Sequence, residues 1–141
     1  MKYLLPALLL GAAALGLAVA ARAAKEEKKV DGRVFELRTY HAAPGKMEAL
    51  HARFRDHTCE LFRKHGMTIV GFWSPMKPEE ARKTLVYLLA FPSKEAADKS
   101  WAAFRKDPDW IKARDASEKD GPIVAKIESV FLNPTDYSAI K

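Results

Sequence analysis

The chain predicts an α+β fold built on a four-stranded antiparallel sheet, and three features carry that expectation. Four short runs rich in strand formers alternate with helical periodicities in the order βαββαβ. No internal repeat divides the 141 residues, and 48% hydrophobic with 30% charged is the balance of one globular domain, which excludes collagen-like, disordered and multi-span membrane chains. Finally, the third strand run is apolar at nearly every position, so it sits inside the sheet. Together these describe a ferredoxin-like split βαβ arrangement, with strand three between strands one and two and strand four beside strand one.

The first segment is read as an export signal. Lys2 supplies a positive start, Tyr3 to Ala21 carry no charge, and Ala18-Val19-Ala20 and Ala21-Arg22-Ala23 both suit signal peptidase. Residues 1–23 are therefore expected to be removed, placing the protein in the periplasm or outside the cell. The competing reading is a retained anchor, which Pro6 and the Ala/Gly-rich composition disfavour. Cleavage after Ala23 leaves 118 residues and removes Lys2 and Arg22, lowering the net charge from +6 to +4. Residues 24–32, containing the run Lys25 to Lys29, form a charged tether to the domain at 33–133.

Val34 to Tyr40 alternates and is strand one, broken by Ala43-Pro44-Gly45. From Lys46 to His65, Met47, Leu50, Phe54, Leu61 and Phe62 recur at helical steps opposite charged residues, giving one long amphipathic helix ended by Gly66. Met67 to Trp73 is strand two, Pro75 to Glu80 a polar loop, and Thr84 to Phe91 strand three. Ser93 caps a helix carrying Ala97, Trp101 and Phe104, and Asp107-Pro108 opens a short helix holding Trp110 and Ile111. Gly121-Pro122 stops it, Ile123 to Leu132 is strand four, and residues 134–141 are a tail.

Both faces of this sheet are apolar. Leu85, Tyr87, Leu89 and Phe91 oppose Val86, Leu88 and Ala90 on strand three, and Val70 and Phe72 oppose Ile69 and Trp73 on strand two. Two helices cover one face only. A second copy of the sheet, giving a face-to-face homodimer with a barrel-like interior, covers the other, unless the short helix or the tail folds over it.

Phe35-Glu36-Leu37-Arg38-Thr39-Tyr40, Pro44-Gly45-Lys46, His65-Gly66, Gly71-Phe72-Trp73 and Asp107-Pro108-Asp109-Trp110, with Trp101, together resemble the NIPSNAP family of the dimeric α/β-barrel superfamily. The resemblance spans residues 33 to 133. It departs at strand three, where Leu85-Val86-Tyr87-Leu88-Leu89 lacks the Trp or His often found in the family. The resemblance implies a ferredoxin-like protomer that dimerises, with no settled catalytic mechanism. Superfamily relatives include small monooxygenases, some without a cofactor and some that bind haem, and fold alone does not assign their chemistry here.

Candidate site residues follow from strand periodicity. Glu36, Arg38 and Tyr40 share one face of strand one, and Lys126 and Glu128 share one face of strand four. If the two strands pair, these five are expected to form a polar cluster at the dimer cleft, as a ligand site or a salt-bridge ladder that fixes register. Trp73 is placed at the cleft mouth, with Tyr87 among the lining aromatics. The leading expectation is a homodimer that binds a small, mainly apolar molecule. The alternatives are a monooxygenase- or isomerase-like enzyme using Glu36, Arg38 or Tyr40, and a non-catalytic interaction scaffold.

No cofactor or metal is expected: His41, His51, His57 and His65 include no pair at the spacing of a helical zinc site, and surface or capping roles suit them. Cys59, the only cysteine, has no internal disulfide partner and is expected buried beside the apolar stripe. Basic residues are interleaved with acids along the first helix, which excludes a nucleic-acid stripe, and membrane contact is expected only through the uncleaved signal.

Overall fold

The computed structural model describes residues 32–141. The expected export segment, and all of the charged tether except Gly32, lie outside the described residues. Strand β1 (Val34–Ala42) leads through the positive-φ turn at Gly45 into α1 (Met47–Arg53), a π-helical turn (Phe54–Thr58) and α2 (Cys59–Lys64). Strand β2 (Thr68–Trp73), a one-turn helix α3 (Pro78–Ala81) and β3 (Thr84–Phe91) follow. Helices α4 (Lys94–Lys106) and α5 (Pro108–Ser117) precede β4 (Val124–Leu132). The strand order is β2-β3-β1-β4, antiparallel throughout, as the ferredoxin-like reading requires.

Local chemistry explains most boundaries. Ser93 Oγ accepts from Ala96 N–H at 3.0 Å to start α4, and Asp107 Oδ1 accepts from Asp109 N–H at 2.8 Å to start α5, with Pro108 at its first position. The segment expected as a polar loop gives way to α3 from Pro78, because Pro78 presets the first turn and Glu79 and Glu80 suit its positive end.

The long helix is not uniform. Cys59 N–H bonds back five residues to Phe54 C=O, and Thr58 Oγ1 donates to Arg53 C=O at 3.2 Å, which accommodates one extra residue. That insertion keeps Phe54 and Phe62 on one stripe, with ring centroids 6.1 Å apart.

The helices cover the sheet face carrying Tyr40, Leu85, Tyr87 and Leu89, and Phe54, Phe62, Trp101 and Phe104 complete that core. A bulge in β2 between Ile69 and Gly71 corrects the expected alternation: Ile69 and Phe72 pair with Leu89 and Tyr87 on the helix side, while Gly71 and Trp73 pair with Leu88 and Val86 on the other. The tail covers one end of that second face, over Phe35 and Leu88, where Arg33 Nε donates to Lys141 C=O at 2.8 Å. Helix α5 packs instead against α1 and α4.

Candidate functional site

Glu36 is the centre of a buried polar cluster on the helix side of the sheet. It is 1% exposed, and its carboxylate accepts from Arg38 Nη1 at 2.7 Å, Trp101 Nε1 at 2.6 Å and Ser129 Oγ at 2.6 Å. Strand alternation puts Glu36, Arg38 and Tyr40 on this face, and the β1–β3 register sets Arg38 opposite Tyr87 and Tyr40 opposite Leu85. The Arg38 guanidinium lies 4.2 Å from the Trp101 ring centroid and 5.6 Å from that of Tyr40. Tyr40 and Tyr87 pack at 5.3 Å.

Electrostatics bind these groups together. Burial works to lower the Arg38 pKa, but the oxygens of Tyr87, Tyr40 and Glu36 outweigh it and hold the guanidinium above its ordinary value. Burial, reinforced by Tyr40, pushes the Tyr87 phenol well above the usual tyrosine range. Both stay in their ordinary neutral-pH forms. The Tyr87 hydroxyl and Arg38 Nε are buried without a hydrogen-bond partner.

The structure separates the other expected members from this cluster. In the β1–β4 register Thr39 faces Glu128 and His41 faces Lys126, so Lys126 and Glu128 stand on the opposite, open face. The single five-residue polar cluster expected at the cleft is thereby corrected: alternation showed which residues share a face, and the opposite phases of the two strands split them. Lys126 Nζ donates to Glu128 Oε1, and His41 Nε2 lies 3.6 Å from Glu128 Oε2, beyond hydrogen-bond length. Lys126, then His41, holds the Glu128 carboxyl below its ordinary value. Trp73 is 51% exposed on this same open face, with its indole edge over Gly71, where a Cβ would stand 2.8 Å from the ring.

Sequence reasoning missed two anchors. Asp107, beyond capping α5, forms an ion pair with Lys64 Nζ at 2.8 Å and pairs with His65 Nε2 at 2.6 Å, tying the end of α2 to the start of α5. Arg53, 5% exposed, reaches Glu118 at 3.0 Å and Ser117 at 3.2 Å, and lies 5.1 Å over the Trp110 ring. The Asp-Pro motif hinted at the first; nothing local marks the second. Cys59, expected buried, is half-buried, and burial pushes its thiol pKa up against the opposing pull of Arg63, which disfavours the thiolate. Among the described residues no three His, Cys, Asp or Glu side chains gather as a metal site would require.

Comparison with known proteins agrees with this architecture. No curated protein matches the chain. Among solved structures, a NIPSNAP family protein from Agrobacterium tumefaciens is 15% identical, with a TM-score of 0.68 over 78% of this chain and 100% of that one. A second from the same organism, of unknown function, is 22% identical, with a TM-score of 0.66 over 79% and 96%. An uncharacterised NIPSNAP-like domain protein from Burkholderia xenovorans is 16% identical, with a TM-score of 0.66 over 77% and 90%. At these identities the likeness is one of fold. The NIPSNAP family model itself matches residues 35–139, from the first residues of β1 into the tail that crosses the open face. Matched over that span, the chain belongs to the NIPSNAP family.

Proposed function

We propose that this chain is an exported homodimer that holds a small, mainly apolar molecule in the barrel-like space between two sheets. One observation carries the reading: the sheet face opposite the helices is apolar yet largely uncovered. Leu37 and Val86 are half-buried there, and Trp73 and Val130 are about half exposed at 51% and 53%. A patch of this kind on an exported protein marks an interaction site, and a copy of itself offers the same chemistry through a two-fold axis. Lys126, Glu128 and His41 rim this face at the end opposite the tail and orient the partner by charge. Export rests on Lys2, the uncharged stretch Tyr3 to Ala21 and the two alanine triplets.

A second reading is supported by the unpartnered Tyr87 hydroxyl and Arg38 Nε in the buried cluster. There Glu36, Arg38 and Tyr40, with Tyr87, serve an enzyme of the monooxygenase or isomerase kind. Unpaired buried donors are a feature of sites that await an acceptor. The first reading is favoured because every oxygen of Glu36 is already occupied within the protein.

Native mass spectrometry of the protein, expressed as the whole 141-residue chain and purified from the periplasm, tests the proposal. The expected species is a dimer whose protomer mass corresponds to loss of residues 1–20 or 1–23 and which carries added small-molecule mass. An uncleaved protomer sinks the export reading, and a bare dimer favours a scaffold.

A further inference from the structure

The tail does more than shield one end of the open face. Beneath it lies a hollow of about 490 Å³ with Phe35, Leu88 and Leu132 as its floor and Pro134, Ala139 and Ile140 in its strap. The strap is secured at its end and by its own turn. Arg33 holds Lys141 C=O through two nitrogens, Lys141 Nζ donates to Asp136 C=O at 2.6 Å, and Ser138 N–H closes a turn on Thr135 C=O at 3.1 Å. Yet the strap does not pack down. Ile140 remains 50% exposed and Leu132 beneath it 40% exposed. An apolar floor and an apolar strap held apart forfeit the contacts that packing would give, and a guest of matching polarity recovers them.

We infer that this hollow is a binding site for a small uncharged, mainly apolar molecule, with residues 133–141 as its retaining strap. The inference goes beyond the proposed ligand binding, because the hollow is formed within one protomer and apart from the space between two sheets, and it rests on that reading only for the class of ligand. Of the nine residues around it, none is ionisable. A charged guest would lose its hydration without gaining a counter-charge, whereas Asn133 and Thr135 offer a neutral guest hydrogen bonds at one edge. Arg33 is close by but occupied by the strap.

The neutral fluorophore N-phenyl-1-naphthylamine is the probe. It is titrated into the purified protein, expressed as the whole chain, and into two variants whose far-ultraviolet circular dichroism matches it. Ile140→Asp places a charge at the hollow from a half-exposed position that does not threaten folding. Ile111→Asp places one on α5, an exposed position away from both the hollow and the sheet. The expected result is saturable fluorescence gain in the unaltered protein, at least tenfold weaker affinity in Ile140→Asp, and unchanged affinity in Ile111→Asp. No binding to the unaltered protein, or equal loss in both variants, overturns the inference. Full binding by a dimeric Ile140→Asp protein places the dye between copies, which overturns the hollow and leaves the homodimer standing. Binding of the expected pattern by a monomeric protein does the reverse.

Discussion

Trp101 Nε1 donates to Glu36 Oε2 at 2.6 Å, joining α4 to β1 across 65 positions of sequence. Ser129 and Arg38 occupy the remaining oxygen, so one buried carboxylate links one helix and two strands. Its value lies in being complete: a buried charge is tolerated when its partners are present and costly when one is removed.

Glu36→Ala is therefore expected to destabilise the fold by about 3–5 kcal/mol, because it strands the mostly buried Arg38 guanidinium beside two tyrosines. Trp101→Phe, which keeps most of the ring and loses one hydrogen bond to a charged group, is expected to cost about 1.5–3 kcal/mol. Urea unfolding followed by circular dichroism reads both. An enzyme built on Glu36 predicts a folded, equally stable Glu36→Gln protein that has lost turnover, whereas the structural cluster predicts a shifted midpoint.

A pH prediction follows from Asp107. Lys64, then His65, and the Asp109 N–H hold its carboxyl well below the usual range for aspartate. A group whose folded value is depressed contributes stability that is full above its unfolded value of about 4 and is lost as pH falls through that value toward the folded one. Lys64, raised by Asp107 and Asp109, contributes stability that is full below about pH 10 and is lost as pH rises above it. Asp107→Asn keeps the cap and removes the charge, so its acid unfolding limb is expected to be flatter than that of the unaltered protein. Thermal melts at successive pH values from neutrality to pH 3 check this, and parallel curves for the two proteins contradict it.

The π-helical turn gives a third test. Thr58 is 2% exposed, and its hydroxyl donates to the Arg53 carbonyl at the start of the turn. Thr58→Val fills the same space and removes that bond, with an expected cost of about 1 kcal/mol in urea unfolding. A stabilised Thr58→Val protein would show that the hydroxyl does not hold the turn.

Much of this fold is legible in the sequence because its signals are local. The alternation of Val34 to Tyr40, the apolar run Thr84 to Phe91 and the Ser93 and Asp107 caps depend on neighbours within a few positions, and they sit where periodicity puts them. The candidate site is less legible because it depends on long-range choices. Alternation groups Glu36 with Arg38 and Tyr40, but whether that face meets helices or solvent follows from the burial of Tyr87 opposite Arg38. Lys126 and Glu128 reverse face through the β4 register, and one bulged residue at Val70 realigns β2 so that Phe72, and not Trp73, meets the core. Nor does any pattern in Pro134 to Lys141 announce that the tail returns to Arg33, since a contact 108 positions apart leaves no local mark.

The proposed second copy covers the open face of Trp73, Val86 and Val130. Sedimentation velocity over a broad concentration range, on the unaltered protein and on Val86→Asp, decides whether it does. A dimer for the first and a folded monomer for the second is the predicted result, because each copy then brings an unpaired aspartate into an apolar interface. A monomer at every concentration for the unaltered protein, or an undiminished dimer for Val86→Asp, would contradict it.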